Sequence, residues 1–179
     1  MKTKIVNPIL KDEVTFIQSS HESNGIKTVL AVKLMPGGGT PFHFHKNIIE
    51  QFTISEGKLT IYQKGKKNTL VAGEKLTVGL NIVHRFANES DSPVIFNTTL
   101  FPGSPGFENS LKILYGLACD GKTNRQGIPK SFLNLAVISM ISDMHQPGIL
   151  SLLSPVIHLA FLIAKLTKTD KKLFKKYCQ

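Results

Sequence analysis

Between residues 26 and 101 the chain is cut into short alternating segments by glycine-rich turns, and this punctuation constrains the fold more than any other feature. "IKTVLAVKLM" runs into the turn "PGGGTP", and a second extended piece, "FHFH", follows at once. "NIIEQFTISEG" and "KLTIYQKGKK" predict two strands joined around Glu56 and Gly57, with "GKKN" as the next turn. "TLVAGEKLTVGLN" holds two short strands broken at Gly73 and Gly79, and "IVHRFANES" and "PVIFNTTLF" flank the turn "ESDSP". Strands this short and dense leave no room for crossover helices, so the pattern predicts an all-β barrel or sandwich rather than βαβ units. A chain of 179 residues buries roughly 70% of its extended surface on folding, enough for one domain without a metal or disulfide as a staple.

Past "FPGSPGFEN" the period changes. Phe107, Leu111, Leu114, Tyr115 and Ala118 recur at helical spacing, and "SFLNLAVISMISDMH" predicts a second helix. "SPVIHLAFLIAKLTKTDKKLFKKY" predicts a third, with Ser154 as N-cap and Pro155 at the first helical position. The sequence thus divides into a barrel over residues 1–105 and a helical C-terminal extension over 106–179, packed on the barrel or on a dimer partner. In the last helix, Val156, Leu159, Ala160, Ile163 and Leu166 form a stripe expected to be buried, with the lysines from Lys165 to Lys176 at the wet end. The apolar run at residues 149–164 is shorter than the roughly 20 residues of a membrane span and is interrupted by Ser154, Pro155 and His158. A buried helix or dimer surface is the first reading of it, and an interfacial helix leading into the basic tail is the second.

The formal charge is +10, and half of the excess lies in residues 165–179, where six lysines face only Asp170. A solvated basic helix accounts for this; peripheral contact with anionic lipid, and contact with nucleic acid or an acidic partner, are the alternatives. Only two of the 22 basic residues are arginines, Arg85 and Arg125, which argues against a dedicated nucleic-acid module. Cys119 and Cys178 have no CxxC spacing and are expected to be free thiols in a reducing compartment. The N-terminal "MKTKIVNPIL" opens like the basic region of a signal peptide but runs into Lys11, Asp12 and Glu13 instead of an apolar core, so a cytoplasmic location is expected.

Four residues carry recognisable chemistry: His43, His45, Glu50 and His84. His43 and His45 are two apart on an extended chain, so both imidazoles point to one face. Glu50 has the wrong parity to join them unless the strand breaks at Lys46 and Asn47. Within "IVHRF", Ile82, His84 and Phe86 point together. Three imidazoles and a carboxylate suit one divalent ion of Zn, Fe, Mn, Co or Ni, with positions left for water or substrate. Phe44, Phe52 and Phe86 are expected to form an aromatic surround that limits solvent access.

The same residues carry a resemblance. Residues 37–57 are similar to the first motif of the cupin superfamily, G(x)5HxH(x)3–4E(x)6G, through Gly37, His43, His45, Glu50 and Gly57. Residues 73–88 are similar to the second, G(x)5PxG(x)2H(x)3N, through Gly73, His84 and Asn88, with Gly79 and Asn81 standing where the family has Pro and Gly. Both replacements are turn-compatible. The resemblance implies a jelly-roll barrel, the cupin double-stranded β-helix, with additional C-terminal α-helices, and with His43, His45, Glu50 and His84 as ligands of a metal inside it. The extension resembles that of bacterial single-domain cupins. Gly57, Gly73 and Asn88 are expected to serve turns.

Two classes of function follow. One is a metal-dependent enzyme acting on a small enolic or aromatic molecule; the similarity to quercetinase-like cupins, which use three His and one Glu, makes a dioxygenase the leading form, with isomerase and decarboxylase chemistry open on the same centre. Glu50 is then the candidate base, after its duty as ligand. The other is a small-molecule binding or sensor module without turnover. Lys33, Tyr62, Arg85 and Asn97 are candidate polar groups of the pocket, and a homodimer is expected from the exposed edges of an antiparallel barrel.

Overall fold

Nine strands and four α-helices make up the chain in a computed structural model that describes residues 3–178, with side chains except at 149–151; Met1, Lys2 and Gln179 lie outside the described residues. The strands are β1 (Lys4–Asn7), β2 (Asp12–Gln18), β3 (Thr28–Leu34), β4 (Ile49–Glu56), β5 (Lys58–Gln63), β6 (Lys66–Val71), β7 (Lys75–Val78), β8 (His84–Ala87) and β9 (Val94–Phe101). They form a six-stranded sheet in the order β1-β2-β3-β9-β4-β7 and a three-stranded sheet in the order β6-β5-β8. Every strand pairing is antiparallel. The two sheets share one core, in which Phe52 and Phe96 of the larger sheet meet Phe86 of the smaller at centroid separations of 5.7 and 5.4 Å. This is the jelly-roll barrel with added helices.

Alternation decides which side chains enter it. Along β3, Leu30, Val32 and Leu34 are buried and Lys33 faces solvent; along β9, Val94, Phe96, Thr98 and Leu100 point inward and Asn97 points away. Strands β1 and β2 had no counterpart in the sequence reading. In "DEVTFIQ" only Val14 and Phe16 mark the inward face in apolar terms, and the third inward residue is Asp12. The turn placed at "GKKN" is tighter than expected: Lys64 and Gly65 make it, and Lys66 already belongs to β6. Both turn residues have positive φ, +51° and +72°.

Helix α1 (Pro105–Cys119) begins at Ser104, whose hydroxyl accepts from the Phe107 N–H. Its first turn is fastened to the barrel by Glu108, which accepts from the Ser20 N–H and the Thr28 hydroxyl, both at 2.6 Å. Helix α2 (Phe132–Ile141) is capped by Ser131. A 3-10 segment (Gly148–Leu153) feeds straight into α3 (Ser154–Leu166), so Ser154 lies inside the helix and Leu153, already helical in φ and ψ, occupies the cap position without a side-chain bond. The single long third helix expected from the sequence is two. The Thr167 hydroxyl turns back onto the Ile163 carbonyl and Lys168 takes a left-handed conformation at φ +57°, which starts α4 (Thr169–Tyr177) in a new direction. The turn brings Leu173 into a second core with Ile113, Leu117, Val137 and Ala164, and it lets the Tyr177 hydroxyl reach Asp120 at 2.7 Å. A straight helix would carry these side chains away from α1.

The stripe expected to be buried on α3 is mostly open. The helix packs through Ala160 and Ala164, while Leu159 is 59% exposed and Leu166 83%. Small residues set the closest approach between helices, and the large ones are left on the opposite side.

Gly106 makes a comparable close contact. A Cβ built there would lie 2.2 Å from the Ile141 carbonyl oxygen, where the start of α1 meets the end of α2. Gly106→Ala is expected to cost about 2 kcal/mol by forcing these helices apart. Urea denaturation at neutral pH measures it, and an unchanged midpoint would show that the contact is slack.

Candidate metal centre and cavity

A bend at Lys46 and Asn47 breaks the strand register between His45 and β4. Beyond it, Glu50, Phe52 and Ile54 face the interior, as the parity argument required. His43 bridges His84 through reciprocal backbone hydrogen bonds of 2.9 and 2.8 Å, which sets those two residues side by side. The result is a buried group in which one donor atom each from His43, His45, Glu50 and His84 lies within 4.8 Å of the others.

The tautomers are fixed from behind. Each Nδ1 lies against a backbone carbonyl oxygen: His43 with Pro41 at 2.9 Å, His45 with Asp143 at 3.0 Å and His84 with Ile82 at 2.9 Å. A carbonyl only accepts, so each Nδ1 carries the proton and each neutral ring presents a lone pair at Nε2. His84 Nε2 lies 2.9 Å from Glu50 Oε2, and His45 Nε2 lies 3.7 Å from the same oxygen, buried and without a hydrogen-bond partner. Lone pairs of imidazoles and a carboxylate crowded in this way require a shared proton or a cation between them. This is the arrangement of second-sphere hydrogen bonds that orients imidazoles for a metal, and the set could coordinate a divalent ion.

For His43 and Glu50 the electrostatics agree, and for His45 they favour the shared proton where no cation is bound. Burial, aided by the neighbouring His84, lowers His43 to about 4, which keeps it neutral near pH 7. Burial alone would raise Glu50, but His45 and His84 outweigh it and hold the carboxyl far below its ordinary range. Burial opposes protonation of His45 as well, and there Glu50 and the Asp143 carbonyl prevail and raise it.

The extension takes part in this geometry, which was not visible in the sequence. Besides the carbonyl that orients His45, Asp143 accepts from the backbone and side-chain N–H groups of Asn47 at 2.7 and 3.0 Å. Phe44 and His145 pair through both backbone bonds and stack their rings at 5.3 Å. Phe44 therefore faces away from the cluster, contrary to the aromatic surround expected of it. The ring that approaches His45 is Phe107 of α1, at 6.0 Å.

A cavity of about 180 Å3 opens beside the cluster. His43, Glu50 and Thr98 line it from the barrel, and Leu111, Leu114 and Tyr115 from α1. None of Lys33, Tyr62, Arg85 and Asn97 reaches it. Lys33 and Asn97 have the outward parity. Tyr62 donates to Glu89 at 2.5 Å on the outer surface, under the Arg85 guanidinium 4.5 Å from its ring. Asn88 serves its turn, donating to the carbonyls of Leu34 and Ser92 while its oxygen accepts from Ser90.

The polar groups that do line the cavity away from the cluster include Asp12 and Tyr115. The Tyr115 hydroxyl donates to Asp12 Oδ2, and Oδ1 is buried without a partner. Burial raises the Asp12 carboxyl from 3.8 to about 6, against the smaller opposing effects of Tyr115 and its own backbone N–H. The native state therefore holds this proton more tightly than the unfolded chain does. The cost of ionising it appears as pH rises from about 4 to about 6 and is complete above that, at about 3 kcal/mol. Asp12→Asn is thus expected to gain stability relative to the parent protein by about that amount between pH 3.5 and pH 8, measured by chemical denaturation at both. A difference that does not change with pH would contradict the burial of this carboxyl.

Residues 30–101 match the family described as "Cupin domain". No curated protein matches the chain. Similar solved structures include KdgF from Halomonas sp., with 13% identity over 53% of this chain and 82% of that one at a TM-score of 0.48. A sugar phosphate isomerase from Silicibacter pomeroyi aligns at 17% identity over 56% and 71% with a TM-score of 0.49. The Cupin_2 domain of an XRE family transcriptional regulator from Enterobacter cloacae aligns at 20% identity over 51% and 96% with a TM-score of 0.45.

Proposed function

From the premise that this chain has a cupin-superfamily fold, we propose that it is a mononuclear metalloprotein acting as a dioxygenase on a small enolic or aromatic molecule. The observation that carries this reading is the convergence of three Nε2 lone pairs and one carboxylate beside an apolar cavity, with every Nδ1 already committed to a carbonyl. His43, His45, Glu50 and His84 would hold the ion. An iron, manganese, nickel, cobalt or zinc ion bound there supplies Lewis acidity toward an oxygen of the substrate and, where redox-active, reactivity toward dioxygen.

The remaining work falls to the protein. Leu111 and Leu114 give the substrate an apolar bed and keep water from it. Glu50 lines the cavity as well as the cluster, which supports its carboxylate as the candidate base. Isomerisation and decarboxylation need the same groups, and a sensor or carrier needs only the cavity and the ion. Purification without oxygen, metal analysis and an oxygen-uptake screen against enolic, catecholic and flavonol compounds separate these. One ion per chain with oxygen consumed in step with product supports the dioxygenase. Tight binding without product assigns the protein to the sensor class, and a chain that takes up no divalent ion removes the metal reading.

The exposed face of α3 supports a homodimer. Leu152 of the preceding 3-10 segment and Val156, Leu159, Ile163 and Leu166 of α3 lie at three- and four-residue spacing, each at least 42% exposed, and no charged side chain interrupts them. Patches of several hundred Å2 of this kind mark interaction surfaces, and a two-fold contact would set the stripe against itself. Anionic lipid is the less favoured occupant, because Lys176 of the adjoining basic helix is already paired with Asp120. No helix among the described residues is long and apolar enough to cross a membrane. The unpaired thiols of Cys119 and Cys178 support a cytoplasmic location.

A further inference from the structure

We propose that Asp12 and Tyr115 form a second polar subsite of the cavity, which receives a hydroxyl group of the bound molecule on Asp12 Oδ1. The subsite is distinct from the metal cluster. Asp12 stands on β2 and Glu50 on β4, with β3 and β9 between them in the sheet; Asp12 pairs with Leu34 and through it with Val94, whereas Glu50 pairs with Leu100, further along β9. Both line the same cavity, whose lining also includes the apolar Leu30, Val32, Leu111 and Leu114.

A buried carboxylate needs a reason to be there. Asp12 is 6% exposed, and Tyr115, at 3%, satisfies only one of its oxygens. The other is a buried acceptor without a donor, a situation costly enough that such groups are nearly always paired in native proteins. Among the described residues no basic side chain acts on the pair: the influences on Asp12 are burial, Tyr115 and its own backbone, and those on Tyr115 are burial and Asp12. A structural role would be met by an apolar residue at β2, as at Val14 and Phe16 on the same face.

The chemistry of the missing donor follows from what surrounds Oδ1. An ammonium brings three N–H groups and needs three acceptors, whereas the free acceptor of this pair is a single oxygen. A hydroxyl brings one donor and leaves the rest of the molecule free to lie on the leucines. The ligand class is therefore an apolar or aromatic body carrying an alcohol, phenol or enol hydroxyl at the Asp12 end. That an oxygen at its other end meets the ion rests on the proposed metal reading; the hydroxyl subsite does not.

The test uses full-length protein stripped with EDTA, so that the ion plays no part. Calorimetric titration with p-cresol, 4-methylanisole and toluene compares a hydroxyl, the same oxygen without its proton, and neither. At pH 7.5 p-cresol is expected to bind at least about tenfold more tightly than the other two, the contribution of one hydrogen bond to a charged acceptor. The carboxyl carbon resonance of Asp12 should move with p-cresol and stay with toluene. Asp12→Leu is expected to erase the preference while toluene still binds, and should that variant not fold, the resonance of the parent protein decides. Equal affinities for p-cresol and 4-methylanisole, no binding of p-cresol at millimolar concentration, or an unmoved Asp12 signal would each overturn the subsite. A failed metal titration would leave a positive result here intact, and the converse holds.

Discussion

His84→Ala is expected to lower affinity for a divalent ion by more than about 100-fold, since even the loss of an outer-sphere partner costs 10- to 100-fold at such sites. His84 is wholly buried, donates through Nδ1 to the Ile82 carbonyl and lies 2.9 Å from Glu50, so the substitution removes an imidazole that nothing nearby can replace. The backbone pairing of residues 43 and 84 does not depend on the side chain, and the barrel should keep its secondary structure by circular dichroism. His21→Ala, at an exposed position far along the chain, serves as the control. Competition titration against a chromophoric chelator reads both. If His84→Ala binds within threefold of the parent protein, the four-residue centre is wrong.

The paired substitution Leu159→Lys with Ile163→Lys should convert a dimer to a monomer, with mass by light scattering falling from about twice 19.7 kDa to 19.7 kDa. Both residues are half-exposed, so the change places charge on the surface without opening a core, and the thermal midpoint of the monomer should hold. A parent protein that is already monomeric at all concentrations would refute the self-contact. If that monomer binds anionic vesicles in a salt-sensitive manner and the variant does not, the face belongs to a membrane surface instead.

Much of the barrel was legible because period-two burial and glycine turns are local. His43 and His45 stand out as a pair two apart, His84 joins them through the similarity to the second cupin motif, and the break at Lys46 and Asn47 that returns Glu50 to the inner face is visible as a polar interruption. The cavity was not. Parity assigns a side chain to a face but does not say which face closes on a cavity, so Lys33, Tyr62, Arg85 and Asn97 were nominated and the inward residues of β2 went unread. Asp12 reads, with Lys11 and Glu13, only as a charged interruption after the N-terminal segment, because its hydrogen-bond partner Tyr115 is 103 positions away. The helix break at Lys168 had no glycine or proline to signal it, because a left-handed lysine is imposed by the packing of Leu173 and Tyr177 on α1.

The staple at Asp143 and His145 bears on how this protein can be taken apart. A cut at residue 105 respects the change from strands to helices, yet it removes the carbonyl that orients the His45 ring, the carboxylate that anchors Asn47 and the strand-like partner of Phe44. A graft of the barrel into another scaffold would carry all four cluster residues and leave one of them free to rotate. The smallest transplantable unit with an ordered centre therefore includes α1 and α2 and extends through His145. A designer who wanted the centre without the helices would have to supply, from the new host, a single backbone oxygen behind one imidazole.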